Sequence, residues 1–466
     1  MNKLPSSQPS PARGKSVARG AKPGNREKQF INPAIIGGGY AGMAAAVALA
    51  AQNIPVTIFE SAKQLGGRAR GVWHNDTQLD NGQHILLGCY HHTLKIIEQV
   101  GGNVGRDFLR LPLQLTIHNR FELKAIPLPA PLHLLAGLLT AQGLSFTQRL
   151  RAARFMLALR HIHFALPHDI TVLELLRAHK QDDQLVHLLW EPLCISALNT
   201  PLHKASAQVL LHVLRDSLNG ARADSDMLLP RMDFSALFPD RAAQYVQQHG
   251  GTVLTSCSVA AIIPQGEEIE VVTAQGNRQF SHVICAASPV AATRLFRAVP
   301  QLATLAEQIE AIPHQPIYTV YLQYPEQVRL PQTMLGFDQC YTQWLFDKGQ
   351  ISGQHGLIAA VISAEGLHQD LEQEQLAQKV AQELSEHLGI TEAPLWHKVI
   401  AEKRATFSCE PNLPRPGHNT PLANVLLAGD YTAGDYPATL ESAVMSGVRC
   451  ADAILRSTPG TGGAAA

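Results

Sequence analysis

A glycine-rich segment near the start of the chain has the residue types and spacing of a dinucleotide-binding site. Residues 37–42 read G-x-G-x-x-G directly after a short apolar strand and at the start of an Ala-rich helix. Such glycines let the backbone turn tightly and approach a pyrophosphate, while the helix start offers free N–H groups to phosphate oxygens. Glu60 ends the next strand, where a carboxylate can accept hydrogen bonds from an adenosine ribose. Glycines that serve only a tight turn are the alternative interpretation. The predicted contact residues in this segment are Gly37, Gly39, Tyr40, Ala41 and Gly42.

The residues after Glu60 indicate which dinucleotide this site would bind. Five residues separate Glu60 from Gly66-Gly67-Arg68, and this E-x5-G-G-R run resembles the extended fingerprint of FAD enzymes in the amine oxidase and phytoene desaturase superfamily. The resemblance implies FAD held without a covalent bond, with the guanidinium of Arg68 along its phosphates and Gly67 in the loop beside it. It implies further contacts from Gly82 and from the backbone of Val259. A solvated loop charge is the alternative interpretation of Arg68.

A segment near the other end of the chain resembles the flavin motif of the same superfamily. It comprises residues 426–430 (LLAGD) and 436–447 (YPATLESAVMSG). The resemblance implies that Asp430 bonds the ribityl chain or the pyrophosphate region, and that a helix opening at Pro437 or Ala438 points at the flavin ring. The positive end of that helix would stabilise the anion of reduced flavin, although ordinary loop and cap chemistry could produce the same pattern. The predicted contact residues here are Gly429, Asp430, Ala438, Thr439 and Leu440.

Three further segments resemble one family of this superfamily, the hydroxysqualene dehydroxylases, also called squalene-associated FAD-dependent desaturases. They are residues 79–88 (LDNGQHILLG), 190–193 (WEPL) with 198–201 (LNTP), and 403–407 (KRATF). The resemblance covers most of residues 33–455. It implies reductive removal of the hydroxyl group from hydroxysqualene to give squalene, in bacterial squalene and hopanoid synthesis. The substrate would be a C30 isoprenoid alcohol, and an unidentified electron donor would be required.

The same segments contain the candidates for catalysis. An allylic hydroxyl leaves most readily once it is protonated, so the site needs one proton donor and an apolar cavity that excludes water. His84 can carry a proton near neutral pH, and burial of Glu191 beside Trp190 would raise its pKa and keep it protonated. Tyr436 is the third candidate. Because the chain contains 21 histidines, an ordinary surface or core position is the alternative for His84.

Two other functions stay open at this point. A polyprenoid desaturase of the carotenoid type, or an amine oxidase, would share the fold and cofactor but take hydride from its substrate. The residues just before Tyr436 are Ala433, Gly434 and Asp435 rather than the cysteine of covalent-flavin amine oxidases, which argues against that subclass alone. A non-catalytic escort protein for prenyl lipids is the other possibility, but it would leave the intact Glu60 unexplained.

The apolar patterns predict the elements that must position these residues. Strand-type material at the start, middle and end of the chain, with helical material between, predicts an α/β (α+β) fold. An FAD-binding Rossmann-like domain would be assembled from discontinuous segments, and a largely helical substrate domain would accompany it. The predicted strands are Ala34–Gly37, Val56–Glu60, Thr252–Leu254, Ser258–Ile263, Ile269–Thr273, His282–Ala286 and Val425–Ala428. From Leu111 to about Arg241 the pattern turns helical and Leu-rich, with predicted helices at 145–165, 171–180 and 183–190. The helices predicted elsewhere are Ala41–Ala51, 371–388 and Ala438–Leu455.

These patterns also divide the chain into predicted domains. The FAD-binding domain would comprise residues 29–110, 242–300 and 401–457. The substrate domain would comprise residues 111–241, helical and facing a membrane, and residues 301–400. A disordered basic tail at 1–28 and a flexible tail at 458–466 would complete the chain.

Composition excludes several other classes of protein. Thirty-eight basic residues balance thirty-eight acidic ones, so no global field indicates a nucleic-acid partner. Seven cysteines without a CxxC pair predict neither a disulfide framework nor a metal site. Residues 29–59 carry no charge, but their glycines and Pro55 favour a buried βαβ unit over a membrane span. The basic tail and the acid-free, Leu-rich residues 123–168 suit a membrane surface. We therefore expect a cytoplasmic protein without a cleavable signal, peripheral on the inner face of the cytoplasmic membrane.

Overall fold

The structure, a computed structural model, describes Met1, residues 31–218 and residues 220–457. The predictions for most of the basic tail and for the C-terminal tail therefore lie outside the described residues. The strands, in chain order, are β1 Pro33–Ile36, β2 Thr57–Phe59, β3 Gly71–His74, β4 Thr77–Asp80, β5 Leu86–Leu87, β6 Phe108–Leu111, β7 Gln114–Ile117, β8 Phe121–Lys124, β9 Met227–Pro230, β10 Thr252–Leu254, β11 Val259–Gln265, β12 Glu268–Thr273, β13 Gly276–Phe280, β14 His282–Cys285, β15 His314–Gln323, β16 Met334–Gly336, β17 Trp344–Asp347, β18 Leu357–Ser363, β19 Trp396–Phe407 and β20 Val425–Leu427.

The helices of the described residues are α1 Tyr40–Ala50, α2 His91–Gln99, α3 Val104–Asp107, α4 Leu132–Thr140, α5 Phe146–His161, α6 Val172–Ala178, α7 Asp183–Leu185, α8 Glu191–Leu198, α9 Ala207–Leu218, α10 Phe234–Leu237, α11 Pro239–Gln248, α12 Pro289–Arg297, α13 Ala303–Glu310, α14 Lys348–Ser352, α15 Gln373–Leu388 and α16 Leu440–Ser457. A π-helical turn, Val186–Trp190, joins α7 to α8. Among the described helices, none is long and apolar enough to cross a bilayer.

A five-stranded parallel sheet forms the cofactor-binding half of the molecule. Its order is β10-β2-β1-β14-β20, so segments from the start, middle and end of the chain lie side by side. The central strand β1 is buried along its whole length, as the short apolar runs of a covered parallel sheet require. The α/β fold and its assembly from discontinuous segments, both predicted from the sequence, are confirmed.

Two helices cover this sheet at very short range. Helix α1 is buried at nearly every position because α16 packs against it. An added Cβ on Gly447 of α16 would lie 2.0 Å from the carbonyl oxygen of Ala41 in α1. The two helices can therefore approach only through glycine. Strands β11, β12 and β13 form a separate three-stranded antiparallel sheet. The predicted strands Ser258–Ile263 and Ile269–Thr273 correspond to β11 and β12, whereas β13 was not predicted and the runs at 252–254 and 282–286 belong to the parallel sheet.

The second half of the molecule is built around a seven-stranded sheet. Its order is β19-β15-β18-β17-β16-β7-β8. The region 111–241, expected to be largely helical, contains helices α4 to α10 and the start of α11, but also three strands that were not predicted. Strands β7 and β8 form a hairpin at one edge of this sheet, and β9 lies in a separate three-stranded sheet. Alternation of buried residues in β8 (Phe121 and Leu123) was hidden within a generally Leu-rich stretch. Strand β19 also continues past residue 400 in pairing with β15, and the exact domain boundaries stay a prediction.

Candidate active site

The two predicted flavin motifs, from opposite ends of the chain, meet at Arg68. Its Nη2 donates to Oδ1 of Asp430 at 2.5 Å, and its Nη1 donates to the carbonyl oxygen of Ala405 at 2.6 Å. Burial lowers the pKa of Arg68, but the neighbouring Asp430 carboxylate outweighs it, so the pKa is raised and the guanidinium stays charged. Arg68 thus holds the GGR loop, the segment 403–407 and the C-terminal motif together in one charged centre.

Glu60 binds the glycine-rich loop from the end of β2. Its Oε2 accepts the N–H of Gly38 at 2.7 Å, and its Oε1 accepts the N–H of Ala62 at 2.7 Å. The backbone of Cys257, two residues before the predicted adenine contact Val259, donates to the Glu60 carbonyl at 2.8 Å. The Ser61 hydroxyl also donates to Oε1 at 3.2 Å. Oε2 keeps a further lone pair, so Glu60 can still accept a hydrogen bond from a ribose hydroxyl.

The three glycines of the fingerprint have different reasons to be glycine. A Cβ added to Gly37 would lie 2.5 Å from the carbonyl oxygen of Ala286, and a Cβ added to Gly42 would lie 1.9 Å from the carbonyl oxygen of Gly37. Packing within the protein therefore explains why both positions are glycine. Gly39 is extended, with φ −79°, and a Cβ there would meet nothing nearer than 3.9 Å, at Gly67. Neither backbone strain nor packing explains Gly39, whereas a group bound against the bare backbone does. The residues present therefore fit a dinucleotide.

The C-terminal motif places a long helix beside this centre. Helix α16 begins at Leu440, with Thr439 accepting the N–H of Ser442 on its hydroxyl at 3.2 Å. The predicted opening at Pro437 or Ala438 was wrong by two to three residues, because Thr439 is the better N-cap. Gly429, at φ +152°, turns the chain after β20 and donates its N–H to the Ser446 hydroxyl at 2.8 Å.

The predicted loop at Gly82 and His84 lies at the end of β4. Gly82 has φ +133°, a conformation that favours glycine. The Nδ1 of His84 donates to the Gly82 carbonyl at 2.9 Å, and its ring packs 4.8 Å from the ring of Phe234. Burial lowers the pKa of His84, with the nearby Arg68 adding to the effect. This shift disfavours the protonated ring, and a catalytic role for His84 stays a prediction.

The other two catalytic candidates lie apart from His84. The Glu191 side chain is 40% exposed and pairs with Nδ1 of His187 at 3.1 Å, so the expectation that Glu191 is buried was wrong. Its place at the start of α8 follows the π-helical turn, which the sequence did not predict. The Tyr436 hydroxyl donates to Oδ2 of Asp216 at 2.6 Å, and burial together with that carboxylate raises the pKa of Tyr436. The hydrogen-bond partners of the three candidates are different residues, Gly82 for His84, His187 for Glu191 and Asp216 for Tyr436.

Two polar groups that the sequence did not assign lie close to the site. Asn199, buried at the end of α8, donates to the Thr406 hydroxyl at 2.9 Å and accepts the N–H of Ala364 at 2.7 Å. Asn199 thereby joins the segments 198–201 and 403–407, which are separate motifs in the sequence. Lys348, buried at the end of β17, meets the loop at Asp80 and Gln83. A lone lysine after an apolar strand, in WLFDK, was the signal available for it.

An apolar cleft opens between the β7–β8 hairpin and the helices that cover it. The empty space within it, including its solvent-open mouth, amounts to about 810 Å³. Fifteen of its sixteen lining residues are apolar, and the remaining one is Arg160. Trp190, from the π-helical turn, forms part of the wall, with its ring held by Phe155 and its Nε1 by Gln181 at 3.0 Å.

Comparisons with known proteins place the chain in a family. The model of the family described as flavin containing amine oxidoreductase matches residues 40–455. Hydroxysqualene dehydroxylase of Rhodopseudomonas palustris is 27% identical over 90% of this chain and 97% of its own length. Zeta-carotene desaturase of Zea mays is 24% identical over 90% of this chain and 82% of its own length. The structure of cyclohexylamine oxidase from Brevibacterium oxydans matches 92% of this chain and 99% of its own length, with a TM-score of 0.67 at 17% identity.

These matches agree with the geometry of the site. The glycine-rich loop, the Glu60 carboxylate and the Arg68 centre suit the FAD that the family carries. The family match includes Glu60, the GGR loop and the C-terminal motif. The predictions of an FAD enzyme and of the amine oxidase and phytoene desaturase superfamily are confirmed. The chain belongs to the flavin-containing amine oxidoreductase family and is an FAD-dependent oxidoreductase.

Proposed function

We propose that this enzyme reductively removes the hydroxyl group of hydroxysqualene to give squalene. The observation that carries the proposal is the apolar cleft, whose lining suits a hydrocarbon chain. It is supported by the relatives named hydroxysqualene dehydroxylase, which match 90% or more of this chain. In this proposal Gly39, Glu60, Arg68 and Asp430 hold the FAD, which supplies hydride in its reduced form when bound.

The lining of the cleft is better matched to an isoprenoid than to an amine. A cationic amine would require a buried carboxylate or an aromatic cage to offset its desolvation, and the one charged residue that lines the cleft is the cation Arg160. A long isoprenoid needs neither, because each buried methylene group contributes about 0.8 kcal/mol. The same walls exclude water, which would otherwise compete for a carbocation formed on the substrate.

The mouth of the cleft suggests where the lipid enters. Leu157 both lines the cleft and is exposed, and the neighbouring Phe146 is 71% exposed. Leu132, Leu139 and Ile162 are also exposed in this region. With the basic residues Arg151, Arg154 and Arg160, this surface has the composition of a membrane-interface patch. We define it as the apolar collar and propose that it rests on the inner face of the cytoplasmic membrane.

The reaction can be tested in a single turnover. Photoreduced protein is mixed anaerobically with hydroxysqualene, and flavin reoxidation is followed together with squalene formation. We expect both to proceed at one rate, with one squalene per flavin. If the reduced enzyme leaves the alcohol unchanged while the oxidised enzyme consumes squalene or phytoene, the polyprenoid desaturase function, favoured by the zeta-carotene desaturase relatives, replaces this proposal.

The apolar collar can be tested separately. The double variant Phe146→Glu and Leu157→Glu should lose flotation with anionic liposomes, because charged side chains are expelled from the acyl boundary. The double variant Leu367→Glu and Leu395→Glu is the matched control, since these leucines are also more than half exposed but lie outside the collar. Equal loss of binding in both variants would contradict a docking role for the collar.

A further inference from the structure

A buried lysine lies where the apolar half of the molecule meets the flavin-side loop. Strand β17 carries Trp344 and Phe346 in the same hydrophobic cluster as the cleft residues Leu115 and Trp190. The strand ends at Asp347, and Lys348, the first residue of α14, contacts Asp80 and Gln83 at the end of β4.

The ammonium group of Lys348 is enclosed but incompletely bonded. Its side chain is 6% exposed, and its Nζ lies 3.9 Å from Oδ2 of Asp80 and 3.4 Å from Oε1 of Gln83. Both distances are long for a charged donor, whose hydrogen bonds to carboxylates are normally about 2.7–2.9 Å. An ammonium has three N–H donors, so Lys348 can donate to a further oxygen.

Both partners of Lys348 belong to the loop that contains Gly82. Asp80, 5% exposed at its side chain, accepts the N–H of Phe234 at 3.0 Å, and its carbonyl accepts the Tyr321 hydroxyl at 3.0 Å. The Gln83 side chain donates to the His84 carbonyl at 3.1 Å. Asp80 and Gln83, the two partners of Lys348, are therefore themselves hydrogen-bonded to other parts of the protein.

The three candidates predicted for the proton donor suit the role less well. Burial lowers the pKa of His84, the Glu191 side chain is 40% exposed beside His187, and the Tyr436 hydroxyl already donates its hydrogen bond to Asp216. Burial lowers the pKa of Lys348, although Asp80 opposes the effect, and burial raises the pKa of Asp80 to about 6. A buried ammonium is a stronger acid than one in water.

We propose that Nζ of Lys348 binds the hydroxyl oxygen of the substrate and donates the proton with which it leaves. The inference rests on the proposed function. The C–O bond breaks and the oxygen departs as water, carrying the Lys348 proton. A new C–H bond forms with the hydride and electron pair supplied by reduced FAD, which is oxidised by two electrons as the alcohol carbon is reduced. The neutral amine then regains a proton from solvent.

The test compares Lys348→Met with Lys348→Arg, which keeps the charge. Oxidised holoenzyme is titrated with hydroxysqualene and with squalene, and binding is followed by the flavin absorbance. We expect Lys348→Met to retain FAD and bind squalene like the wild type, but to lose the preference for the alcohol, which Lys348→Arg restores in part. In the anaerobic single turnover, Lys348→Met should form squalene about 10²–10⁴-fold more slowly.

The outcomes separate this inference from the proposed function. If the wild type reduces the alcohol and Lys348→Met does so within threefold of its rate, Lys348 is not the donor and the proposed function stands. If the wild type leaves the alcohol unchanged, the proposed function itself fails. Should Lys348→Met not fold, the double variant Asp80→Asn with Lys348→Gln removes both charges of the pair at similar volume. Full activity of that double variant would overturn the inference, and the same loss of rate would support it.

Discussion

Replacing Glu60 with glutamine should weaken FAD binding although the side chain keeps its size. Both carboxylate oxygens accept backbone N–H groups at 2.7 Å, from Gly38 and Ala62. A glutamine has one oxygen and one NH₂ group. Its NH₂ group would therefore face one of the two backbone N–H groups, and two donors cannot form a hydrogen bond with each other. The glycine-rich loop or the loop at Ala62 then shifts, and the ribose loses its charged acceptor.

The size of the effect follows from these contacts. A hydrogen bond to a charged group contributes about 1.5–3 kcal/mol, and a neutral acceptor is roughly half as strong. Loss of half of one ribose bond, plus the displaced loop, gives about 2 kcal/mol. Since about 1.4 kcal/mol corresponds to tenfold in Kd, the affinity for FAD should fall roughly 30-fold.

The assay is titration of apoprotein with FAD, followed by flavin fluorescence. Ser61→Ala is the matched control, because it removes only the 3.2 Å contact of that hydroxyl with Oε1 of Glu60 and leaves both backbone bonds in place. The control should bind FAD within about twofold of the wild type. If Glu60→Gln also bound FAD within threefold of the wild-type Kd, the Glu60 carboxylate would not be a charged acceptor for the ribose.

Three further predictions concern stability. Gly447→Ala should lower the free energy of unfolding by about 1–3 kcal/mol, because its Cβ would overlap a carbonyl of α1. Gly417→Ala, with no atom within 4 Å of its Cβ, should not, and equal losses in urea unfolding would argue against the tight helix contact. Asp107 is buried between two arginines, whose hydrogen bonds lower its pKa against the opposing effect of burial. Its stabilisation is therefore present above the unfolded pKa near 4 and lost as the pH falls further. Asp107→Asn should cost about 3–5 kcal/mol at pH 7 and progressively less below about pH 4, whereas a pH-independent difference would contradict this. Asn199→Ala should cost about 2–4 kcal/mol through its lost buried hydrogen bonds, and a loss too small to measure would show that water replaces them.

The sequence predicted the cofactor half of the molecule closely because its signals are local. A tight turn, a close phosphate approach and a helix start need particular residues at neighbouring positions, so Gly37 to Gly42 reveal them without any knowledge of the fold. The strands of the parallel sheet are also local signals, because a strand covered on both faces is a short apolar run. The β7–β8 hairpin escaped prediction because its alternation is brief and is surrounded by leucines that belong to helices.

Which side chains share the substrate side of the site was decided by the tertiary structure alone. The apolar neighbours of Glu191 in the sequence predicted that it is buried, but it is not. It follows a π-helical turn that the sequence did not reveal, and its side chain pairs with His187 and contacts solvent. Lys348 and Gln83 are 265 residues apart and meet only because β17 ends against the loop after β4. The charge state of a buried group depends on what surrounds it in space. The FAD motifs are therefore recognisable in short runs of neighbouring residues, whereas the surroundings of Lys348, the proposed proton donor, form only when distant segments pack together.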